Sequence, residues 1–170
     1  QIGIEKPLRL TTDPAVDSRP AWSPDGRLIA FVRELPDGRL GFSVIPSMGG
    51  PEKKLAESRR AWATRRNFAP AWTPDSKWLA FPDRDADNPA DITSSIYALS
   101  LDTAERRRLT HAPAGIQDLT GTFSPDGRSF VFRRFTSGAA EVYLVRLSRD
   151  LTPAEEPTRL TSEGRFTNSP

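Results

Sequence analysis

The sequence predicts an all-β fold, a partial β-propeller of about three four-stranded antiparallel blades plus an extra N-terminal outer strand. Three observations predict it: a repeat of about 50 residues, apolar runs of strand length after each repeat start, and no sustained helical period. Pro20-Ala21-Trp22-Ser23-Pro24-Asp25-Gly26 recurs as Pro70-Ala71-Trp72-Thr73-Pro74-Asp75-Ser76 and, weaker at its start, as Gly121-Thr122-Phe123-Ser124-Pro125-Asp126-Gly127. The aromatic anchors stand 50 and then 51 residues apart. Seven residues after each comes an apolar triplet: Ile29-Ala30-Phe31, Leu79-Ala80-Phe81 and Phe130-Val131-Phe132. A third element follows, Arg9-Leu10-Thr11, Arg108-Leu109-Thr110 and Arg159-Leu160-Thr161, with Lys54-Leu55-Ala56 as a worn copy.

Each element has a physical reading. Ser-Pro-Asp-Gly is a type I turn in which Pro presets φ and Gly takes the left-handed conformation that returns the chain into a hairpin. Ser76 replaces that Gly in the second copy and predicts local strain or a shifted turn. The strand after the turn is apolar on consecutive residues, so both of its faces are buried, as when sheets stack face to face. Residues 42–45, 96–99 and 142–145 supply a third strand, and the Arg-Leu-Thr segment a short polar fourth one at the edge. The blades span about 18–61, 68–111 and 119–162 of a single propeller segment over 1–170, and residues 4–12 match the outer strand of a preceding blade. Trp22, Trp72 and Phe123 are expected to wedge between neighbouring blades, with Asp25, Asp75 and Asp126 capping turn amides beside Gly26 and Gly127.

Composition narrows the function. The net charge is +2, from 24 basic and 22 acidic residues, which gives no basis for direct nucleic-acid binding. There is no cysteine, and no apolar run approaches the ~20 residues of a membrane span. The single histidine, His111, excludes triads and zinc motifs that need more than one and reads as a solvated loop residue. No nucleophile elbow, phosphate loop or dinucleotide fingerprint occurs. Alternating acids in residues 83–91 suggest a calcium loop but lack its mid-loop Gly and closing Glu, and a polar hairpin loop is the better reading. No catalytic residue, metal ligand or cofactor is therefore assigned.

The remaining sharp feature is arginine. Arg59, Arg60, Arg65 and Arg66 flank Trp62 in the longest loop between blades, and Arg33, Arg84, Arg133 and Arg134 belong to loops on the same rim. Such a rim is a docking face for an acidic protein or peptide. The competing and favoured reading pairs these arginines with Asp83, Asp85, Asp87 and Asp118.

The Trp-Ser-Pro-Asp-Gly-Arg pattern with Ile-Ala-Phe, and Arg-Leu-Thr between copies, resembles the TolB-type propeller repeat, which is WD-repeat-like, over nearly the whole chain. The wording of residues 7–17 resembles the C-terminal propellers of bacterial winged-helix transcriptional regulators. Similar repeats occur in the gating propellers of prolyl-oligopeptidase-like hydrolases. The resemblance implies a non-catalytic scaffold for protein or peptide interaction or sensing, part of a larger bacterial protein, with the periplasm slightly favoured over the cytoplasm. The hydrolase-accessory role is the alternative. Three blades do not close a ring, so the terminal blades are expected to expose apolar faces and the segment to self-associate.

Overall fold

A computed structural model of the chain describes residues 7–58, 69–84, 91–136 and 139–161. Its strands are β1 Asp17–Trp22, β2 Leu28–Glu34, β3 Leu40–Pro46 and β4 Lys53–Glu57, then β5 Ala71–Trp72, β6 Trp78–Arg84, β7 Ser94–Ser100 and β8 Arg106–Arg108, then β9 Gln117–Phe123, β10 Ser129–Thr136, β11 Ala139–Arg146 and β12 Thr158–Arg159. Each set of four pairs antiparallel in chain order, making three blades. Blades two and three also meet through one parallel pairing, Ser94 with Gln117. The chain is a partial β-propeller.

The repeated turn builds each inner hairpin. The Ser23 hydroxyl donates to Asp25 Oδ1 at 2.6 Å, the Arg27 amide donates to the same oxygen, and the Leu28 amide donates to Ser23 Oγ. Thr73, Asp75, Lys77 and Trp78 repeat this set, as do Ser124, Asp126, Arg128 and Ser129. Ser76 adopts φ of 61°, beside 73° at Gly26 and 69° at Gly127, so the strain foreseen from its side chain is present. Its hydroxyl has a use: it accepts the Asp25 amide at 3.1 Å and ties the turns of blades one and two together. Gly121 breaks the Pro-Ala-Trp pattern for a steric reason, since a Cβ there would lie 2.5 Å from the Phe130 ring.

Blade contacts follow from strand alternation. In β6, Leu79 and Phe81 face blade one and Ala80 faces blade three. Leu79 packs with Ala30 and Val44, and the Phe81 ring stacks on Phe42 at 4.3 Å between centroids. One repeat later, Phe130 and Phe132 pack with Ala80, Ala98 and Ile96. At both interfaces the front face of the following blade thus seats large side chains on the back face of the blade before it. The fourth-strand leucine joins in: Leu55 and Leu109 pack into the interface with the following blade.

The anchors divide. Trp72 is 8 % exposed and its indole N–H donates to the Ala21 carbonyl of the preceding blade at 3.0 Å. Phe123 is buried edge-on to Phe130 at 4.7 Å. Trp22, expected to be a buried wedge, is 62 % exposed. The cause is positional, because an anchor needs the inner strand of a blade in front of it, and the described residues ahead of β1 supply none.

Those residues also correct the expected outer strand. Of residues 4–12, the described part, 7–12, forms no strand. It still lies where a fourth strand would, with Leu8 and Leu10 lining a cleft against Ile29, Phe31 and Ile45. Arg9 Nε donates to the Thr11 carbonyl, as Arg108 Nε does to Thr110. Phe31 and Ile45 are consequently buried, so the front of blade one is less open than the sequence implied.

Trp72→Ala should therefore cost about 3–5 kcal/mol of unfolding free energy, and Trp22→Ala less than about 1 kcal/mol. Urea denaturation of the two variants beside the parent chain checks the asymmetry.

Candidate interaction surface

Two surfaces were built from the repeat: the rim at the ends of the second strands, and the cleft where the first strands converge. On the rim, the residue eleven places after each anchor is charged: Arg33, Asp83 and Arg134. Arg33 is buried and forks to Asp17 at 2.7 and 2.9 Å, while its other guanidinium contacts go to Glu52 and, at 3.4 Å, to Asp13. Arg134 forks in the same way to fully buried Asp118, at 2.7 and 2.9 Å, and donates to the His111 carbonyl of blade two. Asp83, also fully buried, inverts the polarity and receives Arg106 at 2.7 Å. The Arg106 guanidinium lies over the Tyr97 ring at 3.9 Å.

Electrostatics agree with this geometry. Burial by itself would raise the Asp17 pKa, but hydrogen bonds from Arg33 and Thr11 and the Arg33 charge outweigh it and hold the carboxyl below its ordinary value. Hydrogen bonds to Asp17 and Glu52 push the Arg33 guanidinium further up. For Arg134, burial opposes the charge, and the Asp118 hydrogen bonds and charge more than restore it. In the turns, the Ser23 and Ser124 hydroxyls hold Asp25 and Asp126 below the usual carboxylate range.

The rim read from sequence is thereby changed. Arg84 and Arg134 are buried within the blades, so neither is presented to a partner; Arg84 donates to the Asp91 carbonyl. Arg133 is half-buried. Arg59, Arg60, Trp62, Arg65 and Arg66 lie outside the described residues, as do Asp85 and Asp87. Asp83 and Asp91 of the calcium-loop candidate are engaged by Arg106 and by Thr93 respectively, and among the described residues no group of three or more metal-ligating side chains comes together. His111 is exposed in a loop. The Asp118–Arg134 pair falls within the favoured reading that pairs the rim arginines with Asp118, whereas Asp17 was not named as a partner of Arg33, although both pairs are spaced by sixteen residues at the same repeat positions and that recurrence is a readable signal.

The second surface is a cleft of about 530 Å³ between the inner strands, lined by Trp22, Pro24, Pro74, Thr122, Phe123 and Pro125 with their neighbours. Its walls are apolar and stiff. The carboxylates of the adjoining turns are turned to their own backbone amides and hydroxyls, as described above.

No family model matches the sequence. Bacterial relatives do, among them an uncharacterized protein of Agrobacterium fabrum, 27% identical over 125 residues, and the uncharacterized peptidase YuxL of Bacillus subtilis, 30% identical over 115 residues. These alignments cover 74% and 66% of this chain but only 38% and 16% of the relatives. Among solved structures, a TolB-like protein of Agrobacterium tumefaciens superposes with a TM-score of 0.71 at 23% identity, covering 95% of this chain and 53% of that one. TolB of Acinetobacter baumannii follows at 0.67 and 22%, covering 94% and 36%. The β-propeller domain of the trilobed protease of Pyrococcus furiosus gives 0.61 at 18%, covering 89% and 44%. The fold is thus a propeller of the kind seen in TolB and in peptidase propeller domains, and the chain spans about half or less of each of these proteins. Among the described residues no helix is long and apolar enough to cross a membrane.

Arg134→Ala should destabilise the chain by about 3–5 kcal/mol, because it strands Asp118 in the interior, whereas the double change Arg134→Met with Asp118→Leu should recover most of the loss. Denaturant melts of the three chains check this. The lowered pKa values predict the pH response as well. A carboxyl depressed in the folded state contributes stability that is complete above its unfolded pKa and lost as pH falls through the folded one. The melting temperature should be level above about pH 5 and drop below about pH 4. Asp17→Asn should flatten part of that drop.

Proposed function

We propose that the chain is a non-catalytic propeller scaffold that docks an extended segment of another protein in the cleft between its inner strands. The observation that carries this reading is the cleft itself: aromatic and proline side chains on a frame of short hairpins, which offers apolar contact with little side-chain entropy to lose. The ionic groups nearest the repeat frame are engaged with one another inside the blades, and Arg134 also bonds the His111 carbonyl of the blade before it. Separately from the cleft, Arg133, with Arg59, Arg60, Trp62, Arg65 and Arg66 of the sequence, is proposed as a basic surface that favours acidic partners.

In this reading the propeller belongs to a larger bacterial protein. Its placement in the periplasm, and its attachment to a winged-helix regulator, rest on the sequence resemblance alone; none of the relatives named above is described as such a regulator. A second reading has specific support. The likeness to the peptidase YuxL and to the trilobed protease propeller favours an accessory propeller that filters peptides for a hydrolase domain elsewhere in the same protein. A nucleophile-elbow domain in the same reading frame would decide for it.

Selection from a displayed library of random dodecapeptides tests the docking role. Enriched peptides should bind the chain, and Pro74→Glu and Pro125→Glu, both exposed on the cleft, should each weaken binding by about tenfold. Selection without enrichment, or binding indifferent to both changes, would count against the cleft as the docking site.

A further inference from the structure

A pocket of about 260 Å³ opens where blades two and three meet, at the starts of the second strands and so at the end opposite the rim. Both of its sides belong to a joint that the chain itself completes. Pro74, Asp75 and Trp78 come from blade two, and Arg128, Arg149 and Leu151 from blade three.

The preceding joint shows why the pocket stands here. Between blades one and two the Ser76 hydroxyl accepts the Asp25 amide at 3.1 Å and ties the two turns together. One blade later Gly127 holds the place of Ser76, with φ of 69° against 61° and no side chain to make the tie. The Asp75 amide, equivalent to that of Asp25, has no acceptor among the described residues. Trp78 stands where blades one and three have Leu28 and Ser129, and it packs on the core as it lines the pocket. The stretch from Leu147 to Leu160 is five residues longer than the equivalent one from Leu101 to Leu109, and this longer loop supplies Arg149 and Leu151.

The loop is firmly held. Leu151 is buried at φ of 61°, a costly conformation for a bulky side chain. The Ser148 hydroxyl donates to Asp150, and Arg107, paired with Glu105 and laid over the Trp78 ring at 4.6 Å, donates to the Asp150 carbonyl. The pocket walls carry two carboxylates and two cations, unequally engaged. Asp75 Oδ1 takes the Thr73 hydroxyl and the Lys77 amide, and Asp126 Oδ1 takes the Ser124 hydroxyl and the Arg128 amide. The Arg128 charge helps to hold the Asp126 pKa down, but among the described residues neither its guanidinium nor that of Arg149 has an ion pair or a hydrogen-bond acceptor. Two guanidinium groups and one backbone amide are thus donors beside the apolar surface of Trp78 and Leu151.

We propose that this pocket binds one apolar residue carrying a free α-carboxylate, either the last residue of a peptide or a free amino acid. The carboxylate lies against Arg128, Arg149 and the Asp75 amide, donors suited to its two oxygens. The side chain lies on Trp78 and Leu151, and the α-nitrogen donates to the second oxygen of Asp75 or Asp126. The volume falls below the roughly 300–1,000 Å³ of sites for drug-sized ligands and suits a single residue. An internal Asp or Glu, or a phosphate, would leave the apolar surface uncovered. The proposal does not rest on the cleft as a docking site, and Pro74, which borders both, is left unchanged in its test.

Isothermal titration of the full chain tests it. The probes are acetylated tripeptides ending in leucine, phenylalanine or tryptophan, each as free acid and as C-terminal amide, with the three free amino acids and inorganic phosphate. At least one acid should bind with Kd below about 1 mM, and its amide about tenfold or more weaker. Arg128→Ala and Arg149→Ala should each weaken that acid by about tenfold at an unchanged urea midpoint, because both side chains are exposed. Gly127→Ser should abolish binding by making the missing tie to the Asp75 amide. It should keep the fold, since Ser76 already adopts that backbone and a Cβ at Gly127 meets Pro74 at an ordinary 3.6 Å. A tripeptide acid that binds more tightly than its amino acid assigns the pocket to chain ends, and the reverse assigns it to the free amino acid. Four results would overturn the proposal: no acid bound at about 1 mM, acid and amide bound equally, phosphate bound as tightly as the best acid, or binding indifferent to all three substitutions.

Discussion

The structure depends on one contact, repeated: the front face of a blade seated on the back face of the blade before it. Leu79 and Phe81 lie on Ala30, Val44 and Phe42, and Phe130 and Phe132 lie on Ala80, Ala98 and Ile96. A four-stranded sheet of this size buries too little apolar surface to be stable by itself. Each blade is ordered because its neighbour removes one of its faces from water. The polar details serve that contact. The Trp72 indole bond to Ala21, the Ser76 hydroxyl on the Asp25 amide and the Arg134 bond to the His111 carbonyl all cross from one blade to the next.

This constraint explains why charge appears in the interior. At the outer level of the interface the strands end and β-branched or aromatic side chains give way to Arg33, Asp83 and Arg134. A buried guanidinium is tolerable only if its donors are matched, and the fork on Asp17 or Asp118 matches two of them with two oxygens. Blade two reaches the same balance with the signs reversed and the cation laid over Tyr97. Arginines that looked available for recognition are in this way drawn into the scaffold, which shifts the candidate surface from the rim to the cleft between the inner strands.

The same constraint gives the ends of the chain their character. A repeat residue has one environment inside the array and another at its boundary, so Trp22 and Leu160 are exposed where Trp72 and Leu109 are buried. The segment bearing Leu8 and Leu10 covers the outer half of the first front face without forming a strand. It supplies apolar contact but not the ladder of hydrogen bonds that a complete preceding blade would offer.

The sequence by itself determined the all-β class, the three-blade organisation and the turn chemistry, because these arise from local rules: a Pro-Asp-Gly turn, consecutive apolar residues and a fixed period. It also determined that Ser76 would be strained, since φ above zero is a property of the turn and not of its surroundings. What it left open were the matters that depend on a neighbour. Trp22 and Trp72 both end a Pro-Ala-Trp run and open the same turn, and only the blade in front of Trp72, with its Ala21 carbonyl, buries one of them. Arg134 and Arg133 are adjacent and chemically the same, yet strand alternation and the bulge in β9 turn one onto Asp118 and the other to the back face. Burial and pairing are decided by what the fold brings alongside, and in a repeat that information lies one blade away in the chain.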